Sequence, residues 1–158
     1  MSSGKLQHEL KKKHPFEAPE AEALINLFRT SDRLHLRFAR LFRDFGLTPS
    51  QYNILRILRG EGRPLPILEI ASRTITVVPG ITGLVDRLER AGLVRRERCP
   101  EDRRVIYVAV TAKALDLLAR LDEPLRQLHR QVVGHLSAAE LQQLSQLLEK
   151  ARACCEDD

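Results

Sequence analysis

Apolar positions along this chain fall into helical periods at both ends and into two extended runs near the middle. From Glu20 to about Asp44 they recur as Leu24, Leu27 and Phe28, Leu34, Phe38, Leu41 and Phe42, then Phe45, at a spacing close to 3.5 residues. This predicts one long helix over 20–46. So small a lobe has no room to bury a stripe of that length, so the stripe calls for other long helices or a second subunit. A second stripe, Leu115, Leu118, Leu121, Leu125, Leu128 and Val132, predicts a helix from Ala112 to about Gly134 with Pro124 inside it. Proline removes a backbone hydrogen bond and clashes with the preceding turn, so a kink or brief break is expected near Asp122. Leu141, Leu144, Leu147, Leu148 and Ala151 mark a last helix, opened by the capping box Ser137-Ala138-Ala139-Glu140, and Glu156-Asp157-Asp158 is expected to fray.

Between these stripes the punctuation is denser. Gly46 ends the first long helix, and Thr48-Pro49-Ser50-Gln51 reads as a capping box with proline in the first turn. Tyr52, Leu55 and Leu58, with Ile54 and Ile57 beside them, form the apolar face of the helix that follows, which Gly60 and Gly62 should break. Leu65 to Thr74 is expected to be another helix. After it, Ile81, Leu84, Val85 and Leu88 recur at i, i+3, i+4 and i+7, predicting a helix over about 77–91. Thr76 is placed to cap it, Pro79 suits its first turn, and Gly92 ends it where a positive φ is needed. Its other face carries Pro79, Thr82, Gly83, Asp86, Arg87 and Arg90.

Leu93–Arg98 and Val105–Val110 are rich in β-branched residues and flank the turn Cys99-Pro100-Glu101-Asp102-Arg103-Arg104, which predicts a hairpin with a basic tip. Helix, turn, helix and basic hairpin form a winged helix-turn-helix, a unit that reads DNA with the second helix in the major groove and the wing, about 95–108, in the minor groove. The expected fold is therefore mainly α with a small β-hairpin wing. Residues 47–111 form the DNA-binding lobe, 20–46 and 112–158 supply dimerisation helices, and 1–19, with Lys11-Lys12-Lys13, form a flexible basic arm.

Composition narrows the partners. The chain has 158 residues, 30% of them charged, with a formal net charge of +5, which suits a polyanionic partner. Most of its cations are arginines, whose forks match phosphates and guanine edges. No apolar run reaches a membrane span and no signal peptide is visible, so a cytoplasmic protein without a membrane partner is expected. Cys99, Cys154 and Cys155, odd in number with two adjacent, form no disulfide framework and are read as inert thiols. There is no nucleotide-binding loop, no nucleophile with its base and no cysteine-histidine cluster at metal-ligand spacing, so no enzyme, cofactor or metal is expected.

From Leu47 to Thr111 the chain resembles the MarR family of bacterial winged helix-turn-helix regulators. The resemblance rests on Leu47-Thr48-Pro49-Ser50-Gln51-Tyr52, Ile70-Ala71, Pro79-Gly80-Ile81-Thr82, Leu84-Val85-Asp86-Arg87-Leu88-Glu89, Gly92-Leu93-Val94, Asp102-Arg103-Arg104 and Val110-Thr111, in that order. It implies a homodimeric regulator, a repressor, on a pseudo-palindromic operator with half-sites about one turn apart. Thr76, Pro79, Gly80, Thr82, Gly83 and Arg87 would meet the major groove, and Asp102 would hold Arg104 for the minor groove with Arg103 on backbone. Leu24, Leu27, Phe28, Leu128, Val132, Leu144 and Leu148 would join the subunits. A small aromatic or phenolic effector would sit near His35, Phe38 and Tyr52. The chain departs from the family's pattern at Val78, where a hydroxyl is frequent, and at Gly83, where arginine is frequent. Two other readings stand beside this one: a winged helix used for protein contact, and an architectural DNA binder without sequence preference.

Overall fold

The computed structural model describes residues 5–155, so the expected fraying of Glu156–Asp158 lies outside the described residues. The chain divides into two compact units, residues 1–40 and 41–158. The first holds helix α1 (Lys5–Glu9) and most of the 26-residue helix α2 (Pro19–Asp44), which continues into the second unit. The segment read as a flexible basic arm includes the short helix Lys5–Glu9. Leu6 is buried, Glu9 pairs with Arg29 at 2.9 Å, and Lys12 donates to the carbonyls of His14 and Pro15 while lying over the Phe16 ring.

The second unit runs α3 (Pro49–Glu61), β1 (Leu65–Pro66), α4 (Ile67–Ser72), α5 (Ile81–Arg90), β2 (Val94–Arg98), β3 (Ile106–Val110), α6 (Ala112–Val133) and α7 (Ala138–Arg152), with a 3-10 turn at Ala153–Cys155. Its core gathers Ile54, Leu55 and Leu58 of α3, Leu65, Ile70, Val85, Leu88, Val108, and Leu118 and Leu121 of α6. Both expected capping boxes form. The Gln51 amide donates to Thr48 Oγ1 at 3.2 Å while the Thr48 amide donates to Gln51 Oε1 at 2.9 Å, and Ser137 and Glu140 exchange the same pair of bonds. That local reciprocity satisfies amides a helix start otherwise leaves open.

Four expectations are corrected. The sheet has three strands, not two: β1 pairs antiparallel with β3 through Leu65 opposite Val108 and Pro66 opposite Tyr107, in the order β1-β3-β2. Proline is tolerated there because β1 is an edge strand. The helix expected from Leu65 to Thr74 accordingly shrinks to Ile67–Ser72. Gly60 does not interrupt α3, which ends only at Gly62 in the left-handed region. Finally, no break falls at Pro124: α6 runs as one helix from Ala112 to Val133, with Leu121, Leu125 and Leu128 buried on both sides of the proline.

The end of α5 is fastened to the start of α6. Thr111 Oγ1 donates to the Gly92 carbonyl at 2.8 Å, the Thr111 amide to Leu93 at 3.1 Å, and Lys113 Nζ to the Ala91 carbonyl at 2.7 Å. The same Thr111 hydroxyl caps α6 by accepting from the Ala114 amide. Among the described residues no helix is long and apolar enough to cross a membrane, and no cluster is suited to hold a metal ion.

Candidate nucleic-acid interface

Helix α5 buries Leu84, Val85 and Leu88 and exposes Thr82, Arg87 and Arg90, so its outward face is polar and cationic. It begins at Ile81, the first residue of its apolar period, later than the start near residue 77 expected from Thr76 and Pro79. Gly80, at φ 71°, is its N-cap, in a left-handed conformation that a side chain would strain, and no side chain caps the helix. Thr76 and Pro79 therefore stand before the helix, not at its cap and first turn; both are exposed. Gly92, also at φ 71°, closes the far end as expected.

The approach to α5 has an unusual surface. From Thr74 to Gly83 there is no charged residue, in a chain that is 30% charged. Within it, Val77 is 95% exposed and Ile75 80% exposed, while Val78 between Val77 and Pro79 is half-buried. Thr74 Oγ1 bonds back to the Ala71 carbonyl at 2.8 Å, which fastens the start of this turn to α4. Gly83 lies inside α5, where glycine costs roughly 0.5–1 kcal/mol against alanine. A Cβ there would meet nothing within 4 Å, so no packing inside the chain requires it.

The wing is anchored at its base by Arg96 of β2. Its guanidinium donates to Glu89 Oε2 at 2.6 Å and to Asp86 Oδ1, reaches the Thr82 carbonyl at 3.4 Å, and its own amide donates to Glu89 Oε1 at 3.1 Å. Burial disfavours the charge, but the two carboxylates more than offset it and hold the Arg96 pKa above the ordinary arginine value. One side chain thus fixes strand β2 to two turns of α5. This role is absent from the sequence reading. The signal for it is the three-residue spacing of Asp86 and Glu89, which puts both carboxylates on one helical face just before the strand.

The tip is held differently. The Cys99 amide donates to the Val105 carbonyl at 3.1 Å and the Val105 amide to the Asp102 carbonyl at 3.0 Å, closing the loop. Asp102 Oδ1 accepts the Arg104 amide at 3.0 Å, so aspartate grips the backbone of Arg104 rather than its guanidinium. Arg103 and Arg104 are exposed, and no ion pair engages either side chain among the described residues. Cys99 is half-buried and lines a cleft of about 360 Å³ beside the wing tip, with Arg63, Pro100, Glu101 and Tyr107. Cys154 and Cys155 are exposed.

Other predicted residues are distributed between the two units. His35, exposed, and Phe38, half-buried, belong to the first; Tyr52 belongs to the second, where its ring stacks on Phe42 at 4.3 Å. Burial raises the Tyr52 pKa, against the pull of Arg59 and Arg56. Of the residues expected to join subunits, Leu24, Leu27, Phe28 and Leu144 are exposed, Val132 and Leu148 half-buried, and Leu128 is already buried within one chain. Helix α7 buries no residue at all, although Leu141, Leu144 and Leu147 recur along it.

Comparison with known proteins points one way. The model of the MarR family matches residues 47–106. The chain is 32% identical over 113 residues to the homoprotocatechuate degradative operon repressor of Escherichia coli, covering 72% of this chain and 76% of that one. Among solved structures, a MarR transcription factor from Planctomyces limnophilus is 44% identical with a TM-score of 0.66, over 85% of this chain and 98% of the other. BpsR of Bordetella bronchiseptica, whose DNA binding is regulated by 6-hydroxynicotinic acid, is 25% identical with a TM-score of 0.73, over 82% and 98%.

Proposed function

This chain belongs to the MarR family of transcriptional regulators, and we propose that it is a repressor that binds a pseudo-palindromic duplex operator as a homodimer. The observation that carries this reading is the contrast at the wing tip: the Arg104 backbone is fixed by Asp102 while its guanidinium is offered outward beside Arg103. Fixing the backbone lowers the ordering entropy that binding must overcome, and an outward arginine suits the electronegative minor groove. Thr76, Pro79, Gly80, Thr82 and Arg87, all exposed, and half-buried Gly83 meet the major groove.

Dimerisation is supported by apolar area left open on α2 and α7. Leu24, Leu27, Phe28, Leu144 and Leu147 are each more than a third exposed, and a second copy of this chain would cover them. A small aromatic effector that shifts the dimer away from its DNA-competent state fits the same reading, as 6-hydroxynicotinic acid regulates the DNA binding of BpsR.

Selection from a random duplex library tests the proposal. The expected result is a palindromic winner bound at least ~10³ tighter than scrambled DNA, with a steep loss of affinity as salt rises. Equal binding to winner and scrambled DNA would leave an architectural binder. Absence of binding at moderate salt would leave a protein-contact module.

A further inference from the structure

We propose that Val77 and Ile75 form an apolar reading surface for thymine methyl groups, so that the centre of each half-site is recognised by methyl contact rather than by arginine forks on guanine. The inference rests on the DNA-binding reading above and adds what the protein reads. Val77 and Ile75 are among the most exposed large apolar side chains described, and they stand on a turn next to the helix offered to the major groove. They alternate with Thr76 and precede Pro79 and Gly80, so the patch is continuous with the proposed interface.

Charge complementarity fixes the occupant. The ten residues from Thr74 to Gly83 carry no charge, whereas Arg87, Arg90, Arg103 and Arg104 are exposed beyond them in sequence. A polyanion with an uncharged floor matches this arrangement, and the major groove is one: phosphates line its rim, and thymine presents a C5-methyl on its floor. Gly83 supplies a second observation. Nothing inside the chain requires the missing side chain, so its absence opens α5 to close approach from outside. It also removes one site from which an arginine would reach guanine.

Methyl readout has a direct probe, because deoxyuridine differs from thymine by that methyl alone. With the operator obtained by selection, each thymine is replaced in turn by deoxyuridine and binding measured for the unaltered protein, Val77→Ala and Ile75→Ala. Burying one methyl corresponds to about a three- to fivefold gain in affinity. The expected result is a loss of that size at one or two thymines per half-site for the unaltered protein. At the matching position, one alanine variant should bind the two bases equally. Both side chains are exposed, so circular dichroism should show the variants folded as before. If no thymine discriminates, or if both variants keep the full discrimination, methyl readout is overturned while operator binding stands. If no duplex is bound at all, the DNA reading itself fails and this inference with it.

Discussion

Arg96 and Arg104 sit on one hairpin and are the same amino acid, yet the fold uses them in opposite ways. The Arg96 side chain is spent inside the molecule on Asp86 and Glu89, and only 22% of it is exposed. At Arg104 it is the backbone that is held, by Asp102, while the guanidinium points to solvent. The base of the wing is thus a partly exposed ion-pair network, and the tip a donor whose backbone is held and whose side chain has no ion pair among the described residues. A high arginine content therefore does not translate directly into contacts with DNA. Each guanidinium must first be checked for a carboxylate within reach.

The largest expected effect comes from the tip. Arg104→Ala should weaken operator binding by about 1–3 kcal/mol and leave the urea unfolding midpoint unchanged. Loss of stability together with binding would break the contrast, because the tip would then be structural too.

Next comes the base. Arg96→Met keeps the bulk but leaves Asp86 and Glu89 facing each other, and should lower stability by about 1–2 kcal/mol in urea unfolding, allowing for the partial exposure of both carboxylates. Arg96→Lys should recover only part of this, since an ammonium cannot fork between two carboxylates. An Arg96→Met protein as stable as the parent would mean the base is no more engaged than the tip.

Asp102 gives the finest test, expected to move binding by about 1 kcal/mol. Asp102→Ala should loosen the tip and weaken binding, and Asp102→Asn should restore it, because an amide oxygen accepts the Arg104 amide as a carboxylate does. If asparagine fails as alanine does, the charge acts on the guanidinium after all, and the backbone grip is incidental.

The parts of the fold legible in the sequence are those written in local chemistry. Thr48 with Gln51, Ser137 with Glu140, and Gly92 each announce a helix end within a few residues, and all three behave as read. What was hidden depends on the rest of the molecule. Two residues, Leu65 and Pro66, are too few to show an alternating pattern, and only β3 beside them makes a strand. The apolar period from Ile81 to Leu88 matches α5, but Thr76 and Pro79 resemble a cap and first turn and place its start too early, because the left-handed turn at Gly80 is the true boundary. The intrinsic penalty of Pro124 is read from one residue, whereas the continuity of α6 depends on leucines buried on both sides of it. At the tip, the resemblance pairs Asp102 with Arg104, and the bond present is to the Arg104 backbone; the anchor at Arg96 was not legible, because its two partners lie on another element.

The bonds from Thr111 and Lys113 to the carbonyls of Ala91, Gly92 and Leu93 have a mechanical meaning. A hairpin separates α5 from α6 along the chain, yet the residues just past the end of one are bonded to the N-cap and first turn of the other, as a crank is keyed to its shaft. The start of α6 is therefore positioned against the exit of α5 directly, and not only through the strands that lie between them in sequence.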